Sequence, residues 1–183
     1  IQFKLMIYFF LKYNNSKKEY CKDLLFSQNV YLSHNQDTNS KALTIQRSFY
    51  KKKFLPETIF IKYPNIEKIS IGGYDDFEIN KNLEQIFSEL GRFKKLKKIE
   101  FGRENIDCLP YSIYMIDSLT ELNLRGNKIK NISENVKNLR MLNNIKLDDN
   151  ELGRLSIAEL NHLFLKLSLI NNLEELYLSN NFL

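Results

Sequence analysis

The feature that most constrains this chain is a spacing pattern of apolar residues that recurs along its last two-thirds. In each complete copy, positions one, four, six and eleven are apolar and position nine is asparagine. Three copies fill every position: Leu119, Leu122, Leu124, Asn127 and Ile129; Leu142, Ile145, Leu147, Asn150 and Leu152; Leu173, Leu176, Leu178, Asn181 and Leu183. Two earlier copies are partial: Leu96, Ile99, Phe101 and Ile106, with Glu104 in the asparagine position; and Ile66, Ile69 and Ile71, with Tyr74 there. The five copies start 30, 23, 23 and 31 residues apart, so the chain is built from one repeated unit.

Each unit predicts a short strand followed by a sharp turn. Residues in the middle of the pattern alternate between apolar and variable positions, as in a strand with one buried face. A coil of about 23 residues cannot bury that face alone, so neighbouring coils must stack and pair their strands in parallel. The asparagine follows the strand, where its amide can satisfy backbone groups from coil to coil.

These residues resemble the leucine-rich-repeat family, whose signature is L-x-x-L-x-L-x-x-N-x-L. The lead-in segments Leu109-Pro110-x-x-Ile113 and Leu55-Pro56-x-x-Ile59 strengthen the resemblance, which covers residues 55–183 in about five repeats. It implies an α/β leucine-rich-repeat solenoid. Such a solenoid has a curved parallel β-sheet on its concave side and short helices or loops on its convex side.

The unequal spacing predicts where true helices occur. Units of 23 residues leave room only for an extended or 3₁₀ return path, whereas the longer ones can hold a helix. Ser156 and Glu159 form a capping-box pattern ahead of apolar residues at helical spacing, which predicts a helix over 157–169. A second helix is predicted over 81–90, with Gly91 as its C-cap.

Residues 1–54 do not follow the pattern and form a separate, basic segment. Residues 1–56 carry ten basic against three acidic residues, a net charge of +7, whereas residues 57–183 carry seventeen against nineteen, a net of −2. Leu43-x-Ile45 is compatible with the strand of a degenerate cap repeat. The apolar patch at 5–11 is compatible either with a buried element covering the first coil or with the remnant of a targeting sequence.

The last repeat ends without a return path. Leu183 completes the fifth copy of the pattern, and an uncovered coil would expose leucine to water. We therefore expect the array to be a fragment of a longer one, or to be capped by another element.

The sequence contains no recognisable catalytic, cofactor or metal motif. His34 and His162 are far apart, and Cys21 and Cys108 lack the spacing of a metal or redox site; Cys108 is expected to pack as a small apolar residue. Asp148 and Asp149 form an acidic cluster, but they occupy exposed positions around the repeat turn. That placement explains them without a calcium site or a catalytic role. We therefore expect no catalytic residue, no cofactor and no metal, and interpret the chain as not an enzyme.

The sequence also argues against a membrane-spanning protein and against a nucleic-acid-binding protein. No apolar run reaches the roughly 18 residues of a membrane-spanning segment. The basic stretch 92–98 is the best candidate for a nucleic-acid contact, but only Phe93 interrupts it as an aromatic, so the sequence disfavours nucleic-acid binding. The compartment stays open, with the cytoplasm favoured over secretion or the cell surface, and the oligomeric state is not determined.

The exposed positions of the repeat strands are the predicted partner-binding residues. They are Lys98, Glu100, Glu121, Asn123, Arg125, Asn144, Lys146, Asp148, Glu175 and Tyr177, with Lys68 and Ser70 in the equivalent positions of the first repeat. This mixed polar surface suits a protein or peptide ligand, so we expect a non-catalytic protein–protein interaction module that binds through the concave face. The alternative is the substrate-recognition part of a larger enzyme or signalling protein whose catalytic domain lies elsewhere.

Overall fold

Within the part of the chain that the structure describes, eight strands form one sheet, and their order in the sheet follows their order along the chain. The computed structural model describes residues 4–6, 30–33, 41–46, 55, 57–72 and 82–183. The strands are β1 (Lys4–Met6), β2 (Val30–Ser33), β3 (Ala42–Gln46), β4 (Lys68–Gly72), β5 (Lys98–Phe101), β6 (Glu121–Asn123), β7 (Asn144–Lys146) and β8 (Glu175–Tyr177). The helices are α1 (Glu57–Lys62), α2 (Leu83–Leu90) and α3 (Ile157–Leu167), with 3₁₀ segments at Tyr111–Met115, Glu134–Asn138 and Leu152–Arg154.

Strands β3 to β8 are parallel and paired in the register that the repeat spacing predicts. Ile69 lies opposite Ile99, Ile99 opposite Leu122, Leu122 opposite Ile145 and Ile145 opposite Leu176. Each residue therefore meets its equivalent in the next repeat. Strands β1 and β2 extend this six-stranded parallel part by antiparallel pairing. The chain is thus an α/β structure, as expected.

One face of the parallel sheet is buried against the return segments. Leu122, Leu124, Ile145 and Leu147 are at most 2% exposed, because the alternation of the pattern directs them to the same side. The last repeat differs, since Leu176 and Leu178 are only partly buried and Leu183 is 65% exposed. Within the described part of the chain β8 pairs on one side only, so its apolar side chains lack the cover that the next coil gives Leu122 and Ile145.

The repeated asparagines connect successive coils, as predicted. The Asn127 Nδ2 donates to the carbonyls of Phe101 at 2.7 Å and Leu124 at 2.8 Å. Its Oδ1 accepts the N–H groups of Glu104 and Ile106, both at 3.0 Å. Asn150 and Asn181 make equivalent contacts with the coil before each of them. An amide is required here because both its donor and its acceptor are used.

The two helices predicted for the longer units, and the 3₁₀ return paths predicted for the 23-residue units, are present. α3 begins at Ile157 with the predicted capping box of Ser156 and Glu159, and it ends at Leu167. α2 occupies Leu83–Leu90, slightly shorter than predicted. Gly91 follows it with a φ of −62°, a right-handed conformation, so its lack of a side chain is not what ends the helix. The two 23-residue units return through 3₁₀ segments.

Some expectations fall on residues whose structure or side chains are not described. The apolar patch at 5–11, Cys21, His34 and Tyr74 belong to this group, apart from the backbone of Lys4–Met6 in β1. Leu43 and Ile45 lie in β3, parallel to β4, and are buried. The expectation for Cys108 was wrong, since this thiol is exposed. Its backbone forms an isolated parallel bridge with Asn131, outside the eight strands, and Leu109 next to it packs against the core.

Candidate partner-binding face

The predicted partner-binding residues lie together on the solvent side of β5 to β8. Pairing of the strands produces one row of Lys98, Glu121, Asn144 and Glu175 and a second row of Glu100, Asn123, Lys146 and Tyr177. Arg125 and Asp148 follow in the turns after β6 and β7. We call the solvent side of β4–β8, with the turns that follow these strands, the open face.

Glu121 is the centre of the open face. Its Oε2 lies 2.8 Å from the Lys98 Nζ and its Oε1 lies 2.7 Å from the Lys146 Nζ. Partial burial disfavours ionisation of this carboxyl, but the hydrogen bonds from Lys146 and Lys98 outweigh it and lower its pKa. The same contact raises the pKa of Lys146. A carboxylate thus bridges two lysines from the neighbouring strands on either side.

A second ion pair continues this network toward β4. The Lys68 Nζ lies 2.7 Å from Glu100 Oε1, and the Ser70 hydroxyl donates to Glu100 Oε2 at 2.6 Å. Charges of opposite sign therefore meet directly across β5–β6 and diagonally across β4–β5 and β6–β7. Each exposed pair contributes at most about 1 kcal/mol, and together they hold the side chains in place.

Tyr177 is the large aromatic residue at the other end of the face. The residue is 42% exposed, and the Lys146 Nζ lies 5.6 Å from the centroid of its ring. Its hydroxyl donates to Glu175 Oε2 at 3.2 Å, and the Asn144 amide donates to the same oxygen. The ring is thus oriented by its neighbours while one side remains accessible, as in many interface anchors.

Arg125 makes a contact that the strand pattern does not predict. Its Nε donates to Asp149 Oδ2 at 2.8 Å, whereas Asp148 accepts the N–H of Ser179 at 2.8 Å. The hydrogen bond from Arg125 is the main cause of the lowered pKa of Asp149. Asp149 has a positive φ of 57°, so it leaves the strand alternation and turns its carboxylate toward Arg125. Both carboxylates of the acidic cluster are therefore used within the protein.

The basic stretch 92–98 is also engaged by protein groups. Arg92 pairs with Glu57 and lies over the Phe60 ring, 4.0 Å from its centroid. The Lys95 Nζ donates to Asn65 at 2.7 Å, and the Lys97 Nζ lies 3.3 Å from Glu67. Most cations of this stretch are therefore bound to side chains of the preceding repeat.

A shallow groove lies outside the open face. It has a volume of about 610 Å³ and lies between the end of the 3₁₀ segment Glu134–Asn138 and the turns that precede β7 and β8. Its lining residues are Lys137, Asn138, Arg140, Asn171 and Asn172. The Asn172 amide donates to the Arg140 carbonyl across it. Nothing in the sequence pattern distinguishes the residues that line this groove, so it could not be predicted from the sequence.

Metal-binding clusters and membrane-spanning helices are absent among the described residues. No group of three or more histidine, cysteine, aspartate or glutamate side chains in that part of the chain is arranged to hold a metal ion. None of its helices combines the length and apolar character that crossing a bilayer requires.

Comparisons with known protein sequences and with solved structures gave different results. Neither a protein-family model nor a curated protein sequence matches it. Among solved structures it is similar to a leucine-rich-repeat protein of Leptospira interrogans, with a TM-score of 0.42 and 20% sequence identity. The similarity covers 72% of this chain and 41% of that protein, so the chain spans less than half of its length.

Proposed function

We propose that residues 55–183 form a leucine-rich-repeat solenoid whose open face is concave and binds a protein or peptide partner without catalysing a reaction. The observation that carries this proposal is the in-phase parallel register of β4–β8, which brings the variable position of every repeat into one continuous surface. Extended surfaces of this kind are how repeat proteins hold their partners.

The chemistry of the open face supports a polar protein partner. Its two rows alternate cations, carboxylates and amides, and Tyr177 supplies apolar area at one end. Tyrosine and arginine are the residues that most often contribute large shares of binding energy at interfaces. We therefore assign Tyr177 and Arg125 as the main contacts and the Glu121 network as the surface that orients the partner.

The test is capture and identification of the partner with the full chain as bait, followed by titration with the purified partner. We expect the double variant Tyr177→Ala/Arg125→Ala to weaken binding at least about tenfold, as loss of two interface anchors does. The matched control is Tyr111→Ala/Arg140→Ala, which removes the same two residue types from exposed sites outside the open face. Equal weakening by both variants, or none by the first, would contradict the proposal.

A further inference from the structure

The two ends of the open face carry opposite net charge. Among the described residues, the β4–β6 end has six solvent-accessible basic side chains against three solvent-accessible carboxylates, a net charge of +3; the count takes the residues that flank these strands and adds Lys41, which pairs with Glu67. The carboxylates are Glu67, Glu100 and Glu121. The basic residues are Lys41, Lys68, Lys97, Lys98, Arg103 and Arg125.

The β7–β8 end is acidic to the same extent. Among the described residues, this end has one cation, Lys146, and four carboxylates, which gives a net charge of −3. The carboxylates are Asp148, Asp149, Glu174 and Glu175. Neighbouring strands lie about 4.8 Å apart, so β4 and β8 are separated by about 19 Å, roughly two Debye lengths at physiological salt. The ion pairs between neighbouring strands therefore leave an excess positive charge at one end and an excess negative charge at the other.

This distribution is self-complementary. Two open faces related by a twofold axis parallel to the strands place the β4 end of one copy over the β8 end of the other, so that +3 meets −3 at both ends. An axis perpendicular to the strands in the same plane would place like charges over each other. An isologous contact requires a surface of this kind.

We propose that the partner bound by the open face is a second copy of this chain, docked face to face with the β4 end of each copy over the β8 end of the other. This proposal rests on the proposed function of the open face. Because the face is small and its attraction is electrostatic, the dimer is weak and dissociates as salt rises.

Charge reversal tests the arrangement. Lys68→Glu/Arg103→Glu changes the basic end from +3 to −1, which leaves both ends acidic, and Glu174→Lys/Glu175→Lys changes the acidic end from −3 to +1, which leaves both ends basic. The substitutions spare the centre of the network: Glu100 keeps its bond from Ser70, and Glu121 keeps both lysines. Each variant should lose self-association, and an equimolar mixture of the two should form a heterodimer.

Sedimentation velocity over a range of protein concentrations, at about 50 mM and about 500 mM salt, measures these states. We expect the unmodified chain to dimerise at low salt only, each variant to be monomeric, and the mixture to dimerise at low salt. A chain that stays monomeric at low salt, or a mixture of two folded variants that does not associate, would overturn the second copy as partner. Capture of a different protein by the unmodified chain, with loss in the Tyr177/Arg125 variant, would then still support the proposed function.

Discussion

The buried carboxylate of Glu89, near the end of α2, accepts a hydrogen bond of 3.2 Å from the backbone N–H of Leu55. Glu89 is 8% exposed. Its burial raises its pKa from 4.5 to about 7, although the bond from Leu55 and the charge of Arg92 act in the opposite direction. This carboxyl links α2 to the segment that precedes α1.

The raised pKa of Glu89 predicts a pH-dependent stability. Between pH 4.5 and about pH 7 the folded chain holds a proton on Glu89 that the unfolded chain releases, so the free energy of unfolding should fall as pH rises through this range. Glu89→Gln keeps the acceptor for Leu55 and removes the charge, so it should stabilise the chain at pH 8 by up to about 3 kcal/mol. Urea unfolding at pH 5 and pH 8 measures the effect.

The control for this experiment is Glu84→Gln. Glu84 lies on the same helix and also accepts a backbone N–H, that of Ser112 at 3.1 Å, but its side chain is exposed. This variant should retain the pH dependence of the unmodified chain. The same pH slope in all three proteins would show that Glu89 is not the group responsible.

Equivalent leucines in successive repeats should differ in their contribution to stability. Leu147 is 0% exposed, whereas Leu178 occupies the same position of the last repeat and is only partly buried. Leu147→Ala and Leu124→Ala should each cost about 2–5 kcal/mol, and Leu178→Ala clearly less. Asn123→Ala, on the open face, should change the unfolding free energy by no more than about 0.5 kcal/mol. Similar losses at Leu147 and Asn123 would show that the strand register is wrong.

The register and the buried face could be predicted because they depend only on spacing. A strand of period two that recurs once in every unit allows one alignment in which every apolar residue meets its equivalent, as Leu122 meets Ile145. The asparagine contacts follow from the same constraint, since only an amide supplies both the donors and the acceptor used at Asn127. No other information is needed for these features.

The remaining features depend on turns and on residues outside the pattern. The pairing of Arg125 with Asp149 requires a positive φ at Asp149, which strand alternation does not encode. Burial of Glu89 depends on how α2 packs against the Leu55 segment, a contact between residues 34 positions apart. The exposure of Cys108 depends on which of two adjacent side chains turns inward. Spacing alone determines none of these three.

Asn127 offers a direct test of the coil-to-coil hydrogen bonds. Asn127→Asp has nearly the same shape but replaces the Nδ2 that donates to Phe101 and Leu124 with an acceptor. Two buried carbonyls then lose their partner and face a carboxylate, which should cost about 2–4 kcal/mol. The loss should shrink at low pH, where the carboxyl binds a proton and can donate again. Thermal unfolding of both proteins at pH 4 and pH 7 measures it, and an equal loss at the two values would refute the donor role.

Glu121 provides a test of the ion pairs on the open face. Its pKa is lowered because Lys146 and Lys98 outweigh the effect of burial, so its contribution to stability is present above pH 4.5 and is lost as pH falls below that value. Glu121→Gln should remove this part of the acid dependence at a cost of about 1 kcal/mol or less at pH 7, because the pairs are partly exposed. Lys146→Gln leaves Lys98 as the remaining partner of Glu121, at 2.8 Å, and should remove only part of the dependence. The free energy of unfolding, measured over a range of acidic pH, should therefore depend on pH less in the Lys146 variant than in the unmodified chain, and least in the Glu121 variant. Any other order would contradict the bridge that Glu121 forms between the two lysines.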